Sequence, residues 1–213
     1  LIGPRTAYSS GTGTVADWRK AATKAGYSAV MFAETFEDIT EEEFLKLRVD
    51  CEENSDEEFQ CLAGLDLGDS QGARYLLLGI ETWLDPAWMM PDGKTILRTN
   101  FLSLGLGSRK LISYHRPGRS PLHPQMIKHY QGITVATYDG NGKRIDDGLH
   151  TYQWQIASDS NPIPIAVHEL TDPKQVAKAA QSGFQQIMPS DTVVRAVNYF
   201  RHPHAHYFAC PVR

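Results

Sequence analysis

Charged and hydroxyl side chains follow three segments of the sequence that have the apolar pattern of buried strands. Arg5, Ser9 and Ser10 follow the first segment, Glu34 the second and Asp66 the third. In an α/β barrel the loops after the carboxyl ends of the strands converge on one face, where ligands bind. Because carboxylates are costly to bury without partners, we expect Arg5 to form an ion-paired network with Glu34 and Asp66.

Two roles for this network are consistent with the residue types. In the first, the ion pairs fill the mouth of the barrel and stabilise it. In the second, Arg5 binds an anionic small molecule or an acidic saccharide through a uronate, carboxylate or phosphate group, since its guanidinium matches such groups in bidentate geometry. Other polar side chains would then fix neighbouring hydroxyls of the ligand. The predicted ligand-binding residues are Arg5, Ser9, Ser10, Glu34, Asp66 and Glu169.

Two later histidines also belong to predicted strand ends. His115 ends one strand, and His168 ends another, directly before Glu169. If they reach the same mouth, a histidine and a carboxylate can serve as general base and acid, or hold one divalent metal together with Asp66. The alternative is a packed, hydrogen-bonded histidine. The candidate catalytic residues are Glu34, Asp66, His115 and His168.

A third set of histidines lies near the C-terminal end of the sequence. His202, His204 and His206 occupy alternate positions, so an extended strand would project three imidazoles to one side. Such a face can bind zinc, copper or nickel. Against this, Pro203 confines the strand to a sheet edge, and the segment follows the last predicted helix, away from the expected mouth. Adventitious binding, or none, is the alternative.

The order and spacing of the three early segments resemble a known family. Their sequences are Gly3-Pro4-Arg5-Thr6-Ala7-Tyr8-Ser9-Ser10-Gly11, Met31-Phe32-Ala33-Glu34-Thr35 and Ala63-Gly64-Leu65-Asp66. They are similar to the strand ends of the PHP family, named for polymerase and histidinol phosphatase, most clearly over residues 1–78. The resemblance implies a distorted, incomplete (β/α) barrel of about seven mainly parallel strands. Typical members of the PHP family also hold a cluster of metal ions for phosphoester hydrolysis.

The metal-binding positions of that family differ in this chain. Gly3 and Arg5 stand where members typically have His-x-His, and Ser10 replaces the aspartate of Tyr-Ser-Asp-Gly. Glu34 and Asp66 lie in the segments that correspond to Thr-Asp-His and Gly-x-Glu. A metal cluster needs neutral imidazoles and carboxylates, whereas Arg5 adds a cation that does not deprotonate. We therefore expect the phosphoesterase site to be lost and no cofactor to be required.

Three functions are consistent with this pattern. The first is a non-catalytic binding or scaffolding module within a larger bacterial protein. The second is a metal-dependent hydrolase that keeps a reduced site and acts on a phosphoester or a polysaccharide. The third is a structural domain that associates with itself or with neighbouring domains through the region after Tyr199.

Strand and helix patterns alternate along the chain, which predicts an α/β fold with mainly parallel strands. Thr14, Thr40 and Asp172 are the predicted helix caps. The PHP-like barrel is expected over residues 1–200 and a C-terminal extension, the start of a further β element, over residues 201–213. Strands are expected to begin near residues 2, 27, 60, 110, 132, 162 and 184, with an accessory strand at 73–80.

The composition limits the functional classes further. A chain of 213 residues can bury a substantial core, and its formal charge of −4 gives no basic surface for nucleic acid. No apolar run is long enough to span a membrane. Cys51, Cys61 and Cys210 form an odd set without a C-x-x-C motif, which argues against a zinc knuckle and a disulfide framework, although one pair could bridge. An exported or cell-envelope location is slightly favoured over the cytoplasm.

Overall fold

The computed structural model describes residues 1–97, 112–116, 132–147, 163–181, 185–187 and 208–210. The helices are α1 (Val15–Lys24), α2 (Glu41–Glu53) and α3 (Val176–Ala179). The strands are β1 (Ala29–Met31), β2 (Glu34–Thr35), β3 (Gln60–Leu62), β4 (Gly64–Asp69), β5 (Arg74–Leu78), β6 (Thr95–Ile96), β7 (Ile112–Arg116), β8 (Gly132–Tyr138), β9 (Arg144–Asp147), β10 (Ile163–His168), β11 (Gln185–Ile187) and β12 (Phe208–Cys210).

The strands form one large sheet and two small ones. In the large sheet the order is β10-β8-β7-β5-β4-β2, with β6 beside β4 and β9 beside β8. The pairs β10-β8, β8-β7, β4-β2 and β4-β6 are parallel, as is the separate pair β1-β3. The pairs β4-β5, β5-β7, β8-β9 and β11-β12 are antiparallel. The predicted mixed α/β fold with mostly parallel strands is confirmed, but the described strands give no closed sheet.

The first predicted strand is present as an extended segment, residues 1–5. Ile2 forms a single parallel bridge to Met31, and the Gly3 N–H donates to the Met31 carbonyl at 2.9 Å. On the other side, the Ile2 carbonyl accepts a hydrogen bond from the His168 N–H at 2.8 Å. The segment therefore lies between β1 and β10. The loop of residues 6–11, which follows this segment, therefore begins beside these two strands.

Strand β5 was predicted to be accessory, and the structure corrects this prediction. β5 lies inside the large sheet, hydrogen-bonded to β4 on one side and β7 on the other. A tight turn joins it to β4, with the Gly72 N–H donating to the Asp69 carbonyl at 3.0 Å and Gly72 at φ +83°. Residues Tyr75 to Leu78 are all buried. An apolar strand contributes most hydrophobic stabilisation when both its faces are covered, which explains the position of β5 inside the sheet.

Local capping signals set the helix starts. Thr14 and Thr40 each form a reciprocal capping box with the acidic residue three positions later. Asp172 caps the 3₁₀ turn Pro173–Gln175, which continues into the short α3. These three predicted caps are confirmed. They succeed because the hydrogen bonds of a cap involve residues close in sequence.

The core lies between α1, α2 and the strands. Trp18 and Phe44 are fully buried, and the Trp18 ring meets Phe32 edge-on with ring centroids 6.4 Å apart. Cys51 and Cys61 are buried free thiols. Within the described residues, no helix has the length and apolar character needed to cross a bilayer. The predicted helices at 124–130 and 190–199 lie outside the described residues, as does most of the predicted extension 201–213.

Candidate functional site

Asp66 is the centre of an ion-paired cluster. The prediction that it follows the end of a strand is wrong, because β4 continues to Asp69 and Asp66 lies within it. Its carboxylate is 1 % exposed. Arg5 Nη2 donates to Asp66 Oδ2 at 3.2 Å, and Arg74 Nε donates to Asp66 Oδ1 at 2.9 Å. Two guanidinium groups thus meet one buried carboxylate. This charge compensation is what a buried anion needs, because an unpaired one would cost several kilocalories per mole, on the order of 3–5 kcal/mol when a partner is removed.

Arg74 and Glu37 extend the cluster, and sequence reasoning missed both. Arg74 Nη1 and Nη2 donate to the two carboxylate oxygens of Glu37 at 2.9 and 3.3 Å, and Nη2 also donates to the Asp66 carbonyl at 3.1 Å. Burial alone would lower the pKa of Arg74, but the charges and hydrogen bonds of Asp66 and Glu37 raise it above its usual range. The alternation of side chains along the hairpin could have identified Arg74. Arg74 lies opposite Gly68 across the hairpin, so alternation places it on the same face as Asp66.

Glu34 is held differently, by neutral donors. Its side chain is fully buried. The Thr6 N–H donates to Oε1 at 2.9 Å and to Oε2 at 3.2 Å, and the Ser9 hydroxyl makes a short hydrogen bond to Oε2. Burial raises the pKa of Glu34, and the hydrogen bonds of Ser9 and Thr6, with the charge of Arg5, oppose that rise without cancelling it.

The loop of residues 6–11 folds back to supply these donors. The Gly11 N–H donates to the Thr6 carbonyl at 3.0 Å. A β-carbon at Gly11 would lie 2.0 Å from the Arg5 carbonyl oxygen, so only glycine permits this close approach. Ser10 lies on the exposed side, with its hydroxyl 3.2 Å from that of Thr35. The loop therefore presents one serine to the interior and one to solvent.

The backbone at Gly3 has no room for a side chain. Its φ is +104°, which disfavours any residue with a β-carbon. A β-carbon there would lie 2.6 Å from Val167 Cγ1 and 2.9 Å from the His168 carbonyl oxygen. The end of β10 therefore fills the space beside Gly3. The space around Gly3 therefore excludes a side chain as large as an imidazole.

His168 is buried beside this segment. It is 4 % exposed, and its ring stacks on Tyr138 with centroids 5.2 Å apart. Burial disfavours the imidazolium and lowers the pKa of His168 to about 4. The Glu169 N–H donates to the Tyr138 carbonyl at 2.8 Å. The structure thus packs His168 as a neutral ring against an aromatic neighbour.

The remaining predicted residues are described in part or not at all. The backbone of His115 lies in β7 opposite Tyr75, and its side chain is outside the description. His202, His204 and His206 lie outside the described residues. Among the side chains that the structure describes, no group of three or more His, Cys, Asp or Glu residues is arranged to hold a metal ion.

Comparisons with known proteins bear on the fold. No protein-family model matches the sequence, and no curated protein is detectably similar to it. One similar solved structure is a two-domain protein from Bacteroides vulgatus that contains a predicted PHP-like metal-dependent phosphoesterase, with TM-score 0.54 and 14 % identity. The match covers 83 % of this chain and 52 % of that one, so this chain spans about half its length. The distant PHP-like relationship is thereby confirmed at the level of the fold.

Two other solved structures are similar to a lesser degree. An amidohydrolase from Chromobacterium violaceum with bound sulfate and no metal has TM-score 0.48 and 13 % identity, covering 81 % of this chain and 87 % of that chain. PsfC from Pseudomonas syringae has TM-score 0.48 and 12 % identity, with 75 % and 68 % covered.

Proposed function

We propose that this chain is a binding module with a PHP-like fold, in which an arginine and carboxylate cluster takes the place of the metal cluster. In this proposal Arg5 binds the anionic group of a small molecule, with an acidic saccharide as the favoured class. The chain would then act within a larger protein as a non-catalytic module that recognises its ligand at the strand ends.

The incomplete use of Arg5 is the observation that carries the proposal. Among the described residues Arg5 forms an ion pair with Asp66, in which Nη2 and Oδ2 are 3.2 Å apart. Among the described residues, the buried Nε atom has no hydrogen-bond partner. The side chain as a whole remains 18 % exposed. Because an arginine offers five donors in a rigid fork, a carboxylate or phosphate can bind the remaining ones in bidentate geometry.

The residues at the site do not fit a metal cluster. Asp66 accepts hydrogen bonds from two guanidinium groups, and both oxygens of Glu34 accept from the loop. A divalent ion at Asp66 would lie beside Arg5 and Arg74, whose charges repel it. Gly3 supplies no ligand, and its surroundings leave no room for one. The donor set favours recognition of an anion over coordination of a cation.

Hydroxyl groups beside Arg5 suit a saccharide. Ser10 is exposed, and its hydroxyl contacts that of the half-buried Thr35. Both can donate to or accept from the hydroxyls of a sugar ring. Glu37 is half-buried at the edge of the cluster and adds an acceptor. A uronate would place its carboxylate on Arg5 and its ring hydroxyls along this polar rim.

The proposal includes the incomplete barrel that the sequence predicts. In support, the segment of residues 1–5 is hydrogen-bonded to Met31 on one side and to His168 on the other. A segment in that position would connect the β1 and β10 regions, and it would direct the loop after Arg5 to the carboxyl ends of the strands. That is the end at which barrels bind ligands.

Calorimetric titration of the purified chain with glucuronate and galacturonate tests the proposal, with glucose as the neutral comparison. Arg5→Ala is expected to weaken binding of both acids by about 10-fold or more, because a hydrogen bond to a charged group contributes roughly 1.5–3 kcal/mol. Arg19→Ala is the matched control, since it removes the same charge from a surface ion pair with Asp56. Circular dichroism establishes that each variant is folded. Equal affinity of wild type and folded Arg5→Ala would contradict the proposal.

A further inference from the structure

A cleft on another part of the surface lies between α1 and the turn that precedes α3. Its volume is about 460 Å³. Ala21 and Pro173 form apolar parts of its wall, and Gly13 lies at one end. A β-carbon at Gly13 would lie 2.7 Å from Pro173 Cγ, so glycine is required for the two segments to approach this closely. The cleft is thus produced by tight packing of the two segments at one end.

Three lysines surround the cleft, and its carboxylates are already engaged. Lys20, Lys24 and Lys174 line it and are exposed. None of them forms an ion pair with another residue in the described part of the chain. Asp17, which also lines the cleft, accepts from the N–H and hydroxyl of Thr14 in the cap of α1.

The second carboxylate of the cleft is engaged in the same way. Asp172 accepts from the Lys174 N–H as the cap of the following turn. Both acids are therefore committed to backbone caps, whereas the ammonium groups are free to turn towards a ligand. Apolar walls and a surplus of mobile positive charge match a molecule with an anionic head and an apolar body.

From this arrangement we propose that the cleft is a second binding site, which takes a small organic anion with a phosphate or carboxylate head and an apolar body. The head contacts Lys20, Lys24 and Lys174, and the body packs on Ala21 and Pro173. Three lysines and two carboxylates give the cleft a formal charge of +1, opposite in sign to the net charge of −4 of the whole chain. The site is separate from Arg5, and its test is independent of the proposed saccharide binding.

Titration of the ¹⁵N-labelled chain with phenyl phosphate, followed by NMR, tests this inference. Binding is expected to shift the amide signals of Gly13 and Ala21. Inorganic phosphate and benzyl alcohol, which each carry half of the required chemistry, are expected to bind at least several-fold more weakly than phenyl phosphate. Lys20→Glu combined with Lys24→Glu is expected to weaken phenyl phosphate binding about 10-fold, which corresponds to about 1.4 kcal/mol, because two attractive charges become repulsive.

Matched variants distinguish specific binding in the cleft from the effect of a change in the net charge of the chain. Lys46→Glu with Lys24 and Lys20 intact is the control, because Lys46 is an exposed helical lysine on α2 that pairs with Glu42 and does not line the cleft. It is expected to change the affinity less than 2-fold. Ala21→Trp fills the cleft without changing charge and is expected to abolish binding. Loss of affinity in the Lys46 variant equal to that in the double variant would overturn the proposal.

Two further outcomes would also overturn it. The first is the absence of any shift at the cleft amides at millimolar phenyl phosphate. The second is a shift confined to the amides of the 6–11 loop, which would assign the anion to Arg5 and support the saccharide proposal instead. Shifts at the cleft that persist in Arg5→Ala would establish two separate sites.

Discussion

Two buried carboxylates on neighbouring strands have their charge compensated in different ways. In the β2-β4 register Glu34 lies opposite Leu65 and Thr35 lies opposite Asp66, so the two acidic residues are one position apart along the paired strands. Asp66 meets the guanidinium groups of Arg5 and Arg74. Glu34 meets a backbone amide and a hydroxyl from one loop, and burial raises its pKa. Positively charged partners stabilise a buried carboxylate more than neutral donors do. At Glu34, where the donors are neutral, their stabilisation of the charged form is smaller than the destabilisation caused by burial.

The two carboxylates therefore contribute to the fold in different ways. Asp66 joins the first segment to the hairpin of β4 and β5 through its two arginines, so it connects distant parts of the chain. Glu34 holds one loop through the Thr6 N–H and the Ser9 hydroxyl, and its pKa is raised. Substitutions at Asp66 should therefore affect global stability, and substitutions around Glu34 should show a dependence on pH.

Removal of Arg74 is expected to have the largest effect. Arg74→Met leaves Asp66 with one guanidinium and Glu37 with none, and it should lower the free energy of unfolding by roughly 2–3 kcal/mol. This is less than the roughly 3–5 kcal/mol lost when a fully buried pair is broken, because the Arg74 side chain is 31 % exposed and solvent screens its charge. Urea unfolding at pH 7 measures it. The control Arg19→Ala, at a surface pair, should cost less than about 1 kcal/mol.

A double-mutant cycle tests the reason for that loss. If the loss arises from an uncompensated buried carboxylate, then Asp66→Asn in the Arg74→Met background should recover part of the stability. A cost for Arg74→Met no greater than that for Arg19→Ala would mean that Asp66 does not depend on Arg74 for its compensation.

Removal of the Ser9 hydroxyl is expected to have an intermediate effect. Ser9→Ala takes one donor from the buried Glu34 carboxylate and should cost roughly 1–2 kcal/mol at pH 7. Ser10→Ala is a neighbouring control, because that hydroxyl is exposed and contacts only Thr35 among the described hydrogen bonds. It should cost less than about 0.5 kcal/mol. Thermal or urea unfolding compares the two, and equal losses would mean that the contact of Ser9 with Glu34 has no special weight.

The sequence predicts a feature of this site well when the residues that form it are close together in the chain. The caps at Thr14 and Thr40 involve residues three positions apart, so the sequence predicts them well. The meeting of Arg5 with Asp66 follows from the order of parallel strands, and the sequence pattern anticipated it. Both inferences use local pattern or the general geometry of α/β folds.

Other features depend on tertiary contacts that no local pattern specifies. Arg74 joins the cluster because β5 lies inside the sheet, and the position of a hairpin strand depends on which other strands pair with it. The exclusion of a side chain at Gly3 depends on Val167 and His168, which are distant in sequence. The neutral state of His168 likewise arises from burial beside Tyr138. A sequence shows the residue types here, but not the space around them.

The smallest expected effect, and the most direct test of the contrast, is the pH dependence at Glu34. Its pKa is raised, so between the unfolded and folded values the folded chain binds more protons than the unfolded chain. Stability from this group is therefore complete at low pH and declines as pH rises through the folded pKa. Relative to Glu34→Gln, the wild type should therefore lose stability as the pH rises from 4 to 7, by less than the cost of Ser9→Ala.

The comparison with Glu34→Gln is needed because His168 acts in the opposite direction. The pKa of His168 is lowered to about 4, so below its unfolded value the unfolded chain binds more protons and stability falls as pH falls. Both proteins contain His168, and its contribution cancels in the difference between their urea midpoints across the pH range. The difference in urea midpoint between the two proteins could stay constant with pH, or grow in favour of the wild type as the pH rises. Either result would mean that the neutral donors around Glu34 compensate its charge as fully as the two arginines compensate that of Asp66.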